Sequence, residues 1–217
     1  YRPLDKRETR KQLGIESDAI LVGFGAENIL NQRKGMTHLI AALEQIRSTL
    51  NTDHGSHESS DIHPSAVQQS LSRPPRIEGL LFGSGTISES DKLPRLHQMG
   101  FVDSIEQQRL IYSAADLFVV PSLEDNQPQV GLEAMACGTP VVGFRTGGIS
   151  EYVRDGETGL LADVGDEAGL AAAIIRLSQH AELRQQLGKR ARAMMEAEFE
   201  IKTQTQRYLD LYQSAVS

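Results

Sequence analysis

This sequence of 217 residues has no tryptophan, a single cysteine and only 5% aromatic residues. With Cys137 alone, no internal disulfide can form, and its apolar surroundings, Ala134-Met-Ala-Cys137, read as a packed thiol in a reduced cytoplasmic setting. There is no run of basic residues and no stripe of lysine or arginine interleaved with aromatics. The net charge is −7, which excludes nucleic acid as the expected partner and confines any positive site to a local patch. No apolar run approaches the eighteen or so residues of a membrane span, and no signal-peptide pattern opens the chain. The opening Tyr1-Arg-Pro-Leu-Asp-Lys6 has the character of a connecting segment, so the chain is expected to be a fragment of a larger protein.

Enzyme signatures are also missing. Gly23-Phe-Gly25 is a poor dinucleotide-binding fingerprint, because Asn28 stands where the third glycine belongs and no acid follows at the expected distance. There is no Gly-x-Ser-x-Gly elbow of a hydrolase. Residues 51–76 are rich in Ser, His, Pro and Gln and poor in large apolar side chains, and are expected to be a flexible surface insertion. His54, His57, Asp61 and His63 lie within them, but without a helix or tight turn to fix ligand geometry a flexible loop is the better reading than a metal site.

What is present is a regular alternation. Apolar runs at Ile20–Phe24, Gly79–Phe82, Leu117–Pro121, Pro140–Val142 and Gly159–Ala162 alternate with helical patterns at 36–50, 104–114 and 129–137 and beyond Asp166. That rhythm predicts one α/β domain, a Rossmann-like parallel sheet with crossover helices on its faces. Ser104-Ile-Glu-Gln107 predicts a capping box, Asp166 an N-cap, and a last helix over roughly 202–215 carries Tyr208, Leu209, Leu211 and Tyr212 as a stripe that needs a neighbour.

The chemistry concentrates in Val119–Gly148. Asp125 precedes a helix for which Pro128 suits the first position, and Glu133 projects from the otherwise apolar Val130–Cys137, eight positions further on. A carboxylate there is costly to bury without a partner, which points to a ligand hydroxyl or a cation; the solvent face of a short amphipathic helix would account for it equally well. Asn31-Gln-Arg33-Lys34-Gly35 leads into the helix after the first strand, where two cations and free backbone amides would form an anion site. Thr146-Gly147-Gly148 brings backbone close to a ligand, or makes a plain turn.

Taken together, Pro121-Ser122, Asp125, Asn126, Pro128, Glu133 to Val142 and Gly147-Gly148 resemble the C-terminal, donor-binding domain of family 4 retaining glycosyltransferases of GT-B fold, over nearly the whole chain. The resemblance implies that Glu133 binds the ribose hydroxyls of a nucleotide-diphosphate sugar and that Asp125 contacts the transferred sugar. It places backbone from Asn126 through Gln127, Pro128, Gln129 and Val130, with Gly147 and Gly148, near sugar and phosphates. Arg33 and Lys34 would neutralise the diphosphate, and the base would rest near Gly100 and Phe101. No metal and no cofactor are implied. The implied acceptor is a glycan, lipid or small molecule held by an N-terminal domain absent from this sequence, without which the chain is expected to be inactive. The full-length protein is expected in the cytoplasm, peripheral to the membrane where its acceptor is there. Two departures stand out: the first acid is Asp, within Asp-Asn-Gln-Pro, and the arginine usual after the first strand is missing. A non-catalytic nucleotide-binding module and a sugar-nucleotide epimerase of related fold remain the rival readings.

Overall fold

The computed structural model describes residues 1–52 and 75–216. The expected flexible insertion, with its three histidines and Asp61, lies outside the described residues except at its ends. Six strands form one parallel sheet: β1 (Ile20–Asn28), β2 (Ile77–Ser84), β3 (Leu96–Gln98), β4 (Leu117–Val120), β5 (Val141–Phe144) and β6 (Gly159–Ala162). Their order is β3-β2-β1-β4-β5-β6. Side-chain alternation divides the core between two faces. Val22, Phe24, Val119 and Val142 pack with Leu39 and Ile46 of α2 (Met36–Thr52) and with Leu170 and Ile174 of α6 (Glu167–Gln179). On the opposite face Leu21, Leu80, Phe118 and Val141 pack with α3 (Ile105–Ala114), α4 (Gln129–Ala136) and α7 (Ala181–Glu198). Two short helices, α1 (Lys6–Gln12) and α5 (Ile149–Tyr152), and α8 (Ile201–Ala215) are the remaining α-helices among the described residues.

Every strand of the expected alternation is present, although β1 runs longer at its carboxyl end and β2 at both ends than their apolar cores suggest. The sequence reading passed over β3, which has three half-buried residues and forms the sheet edge beside β2. Ser104 caps α3 by accepting from Gln107 N–H, yet its hydroxyl donates to Glu106, so only half of the expected capping box is made. Pro128 is the N-cap of α4, with φ −63° and ψ 112°, one position before the expected one. The ring fixes φ equally well at either place, and the extended ψ ends the preceding loop.

An ionic network clamps the amino end of the sheet. Asp116, at the start of β4, accepts from Lys6 Nζ at 2.7 Å, Arg10 at 2.6 Å and the backbone N–H of Leu21 at 2.8 Å. Arg10 also donates to the carbonyls of Ala114, Ser17 and Ala19. Burial alone would push the Asp116 carboxyl up, but Lys6, Arg10 and the Leu21 amide hold it below its ordinary value.

Candidate functional site

The strand order reverses direction between β1 and β4: chain growth from β1 proceeds to β2 and β3 on one side, then returns to β4, β5 and β6 on the other. The following helices α2 and α4 cover opposite faces, so a crevice opens at the carboxyl ends of these two strands, where parallel α/β sheets bind ligands. Both chemically marked loops end there.

The first loop is a single tight turn, Gln32–Lys34. Asn31 caps it by accepting from Arg33 N–H at 3.1 Å, and Gly35 closes it at φ 75°. A Cβ on Gly35 would lie 1.8 Å from the carbonyl oxygen of Pro121, so only glycine lets this loop meet the one after β4. Leu123 N–H then donates to Arg33 O at 2.9 Å. Lys34 is thereby aimed at Asp125, and its Nζ donates to Oδ2 at 2.6 Å, with both side chains largely covered. Arg33 itself is exposed and enters the site through its carbonyl.

Gly147 and Gly148 support the second loop from below. A Cβ on Gly147 would lie 2.1 Å from Asp125 O and one on Gly148 1.7 Å from Asn126 O, while Gly148 N–H donates to Asp125 O at 3.3 Å. The two glycines are thus required by the protein's own backbone. Because Gly148 has an ordinary φ of −69°, the effect of Gly148→Ala is steric alone. It should cost about 1–3 kcal/mol in thermal unfolding by overpacking; an unchanged Tm would mean that the 125–126 backbone is not seated on this turn.

Pro128 makes no side-chain capping bond at the start of α4, and its carbonyl accepts from Gly131 N–H at 3.1 Å. Glu133, one turn further on, is half-buried and accepts from the hydroxyl of Tyr112 at 2.6 Å. With Gln127, Gln129 and Glu151 it lines a cleft of about 790 Å³ that reaches Arg192 and Tyr208. Glu133 is therefore neither a free solvent-facing acid nor in direct contact with Lys34 or Asp125. Val130 is partly buried against the apolar core beside it.

Gly100 and Phe101 lie after β3 on the same carboxyl edge, displaced two strands from β1. The Gly100 carbonyl accepts from Gly83 N–H at 2.7 Å, and Phe101 is 62% exposed, an open aromatic face. The structure thus joins Lys34, Asp125 and the Gly147-Gly148 turn by contact and sets Glu133 and Phe101 at the flanks. Two supporting residues were not picked out from sequence: Tyr112, and Tyr152, whose buried hydroxyl donates to Pro128 O at 3.5 Å. Burial, then the Asp125 charge, raises the Tyr152 phenol, so it stays a donor. Cys137 is buried, and burial pushes its thiol up to about 11, as a packed thiol requires. Among the described residues no group of three or more His, Cys, Asp or Glu side chains is placed to hold a metal ion, and no helix is long and apolar enough to cross a membrane.

The sequence and the fold are similar to those of known proteins. The family model for glycosyl transferases group 1 matches residues 19–180. D-inositol 3-phosphate glycosyltransferase of Geodermatophilus obscurus is 33% identical over 178 residues, covering 80% of this chain and 36% of that protein. Among solved structures, sucrose-phosphate synthase from Thermosynechococcus elongatus superposes with a TM-score of 0.73 at 27% identity, covering 100% of this chain and 50% of that one. Anabaena HepE in complex with UDP and glucose has the same fold, with a TM-score of 0.71 at 23% identity over 99% of this chain and 56% of its own. The chain thus spans about a third of the length of the curated relative and about half of each solved chain. By sequence and by its Rossmann-like sheet, which matches GT-B glycosyltransferases, this chain belongs to the glycosyl transferases group 1 family.

Proposed function

We propose that this chain is the donor-binding part of a retaining, metal-independent glycosyltransferase that takes a sugar from a nucleotide-diphosphate sugar. The observation that carries the reading is the Lys34–Asp125 pair at the switch point, a cation and a carboxylate in contact on the loops that follow β1 and β4. A diphosphate would take over the ammonium and the α4 amides, which stabilise the anion that leaves on transfer. Asp125, released from Lys34, would accept from hydroxyls of the sugar. Glu133 would accept from ribose hydroxyls in its cleft, and the base would lie toward Phe101. The Anabaena neighbour, solved with UDP and glucose, supports a nucleotide-sugar donor.

The acceptor, whether glycan, lipid or small molecule, would bind the part of the longer relatives that this chain does not span, so the chain alone should bind donor without transferring sugar. A cytoplasmic location, at the membrane where the acceptor is a lipid, fits the same reading. It is tested by thermal unfolding of the chain with UDP-, GDP- and ADP-sugars. At a hundredfold excess over Kd the matching donor should stabilise by about 2.7 kcal/mol, a rise in Tm on the order of 5–10 °C. No shift with any of the three would overturn the reading.

A further inference from the structure

The proposed ribose contact of Glu133 leaves open what fixes its carboxylate, and the core beneath α4 answers that. Tyr112 is fully buried, on the last turn of α3, and its ring is held edge-on by Phe82 at 5.7 Å and Phe118 at 5.2 Å. The ring of Tyr1 closes over it at 5.8 Å, and the Tyr112 carbonyl accepts from Thr139 Oγ1 at 2.7 Å. A phenol so enclosed has one direction in which to place its hydroxyl, and at the end of that direction lies Glu133 Oε2, 2.6 Å away.

We infer that Tyr112 is a positioning residue for nucleotide recognition: it engages Glu133 Oε2 from the core side and thereby presents Oε1 to the ribose hydroxyls. The inference rests on the donor-site reading above. Two observations support the geometry. The bond is short and charge-assisted, the kind that orients a carboxylate most firmly. Burial, and then the charge of Glu133, raise the Tyr112 phenol far above its ordinary value, so it donates at every working pH. Tyr1 lies beside the same carboxylate, whose charge adds to burial in raising its phenol, while its hydroxyl donates to Gln108 Oε1 at 2.5 Å. A carboxylate with three free rotations on a short helix would otherwise lose its orientation to solvent, and a diol contact depends on it.

The test compares each nucleoside diphosphate with its 2′,3′-dideoxy form by calorimetry, using whichever of UDP, GDP and ADP the wild-type chain binds most tightly. Wild type should prefer the ribose form. Y112F keeps every ring contact and removes only the hydroxyl, and its preference should fall about fivefold or more, with affinity for the dideoxy form unchanged. A purely structural role would weaken both ligands alike, and an unaltered preference in folded Y112F would overturn the inference while leaving the donor site intact. E133Q gives a second arm that does not depend on how Y112F folds. It should abolish the preference, and a preference retained in E133Q would also overturn the inference. Failure of wild type to bind any of the three diphosphates would remove the donor-site reading, and the inference with it.

Discussion

Replacing Asp116 with alanine should destabilise this chain strongly. The carboxylate is the shared acceptor for Lys6, Arg10 and the Leu21 amide, and Arg10 is itself only 13% exposed. Deleting it strands a buried guanidinium and a buried backbone donor, for which losses of about 3–5 kcal/mol are typical. In a chain of this length that is a fall in Tm on the order of 6–20 °C. The pH dependence has a definite sign. The folded-state pKa of Asp116 is depressed, so its contribution is present above the unfolded value of about 4 and is lost as pH falls through the lower, folded value. Urea unfolding of wild type and D116A should therefore show a wide gap at pH 7 that narrows steadily below about pH 4. A constant gap would show that the ionised carboxylate is not what stabilises the clamp, and a loss under 1 kcal/mol at pH 7 would show that α1 is not fastened by it.

The second large effect concerns binding. Lys34→Ala should weaken the nucleotide-diphosphate sugar by about 1.5–3 kcal/mol, one to two decades in Kd, since it removes a charge-assisted contact to the diphosphate. Asp125→Asn gives a sharper discrimination because its effect is expected to differ between two ligands. In the free site Asp125 competes for Lys34 at 2.6 Å. Removing that competitor should tighten the bare nucleoside diphosphate, while the complete donor, which also loses its sugar contact, gains nothing or weakens. Calorimetry of both ligands with both variants separates the roles. If Lys34→Ala leaves either affinity unchanged, the ion pair is only a loop fastening and Lys34 has no part in holding the diphosphate.

Much of this architecture can be read from the chain because parallel strands buried on both faces leave continuous apolar runs, as in Ile20–Phe24 and Val141–Phe144, and because glycine, proline and Asx residues punctuate them. β3 could not be found this way. Leu96-His97-Gln98 sits at an edge, half covered, and is paired on one side only, so no hydrophobic run is required of it. The site loops were legible for the opposite reason: Lys34, Asp125 and Glu133 are charges next to buried segments. What supports them was not. Tyr112 and Tyr152 look like ordinary core aromatics in one dimension, and only the fold shows each hydroxyl reaching a loop or helix far along the chain. Asp116 is equally silent, since its partners lie 110 and 106 positions away. For Gly147 and Gly148 the sequence leaves two readings, room for a ligand or a plain turn, and the nearest atoms to an added Cβ are the backbone oxygens of Asp125 and Asn126.

Those glycine seams, at Gly35 against Pro121 and at Gly147 and Gly148 against the 125–126 backbone, weld three loops into one mould before anything arrives. The entropy of arranging them is thus lost at folding and not at association, which favours a guest that fits the cast as it stands over one that must reshape it.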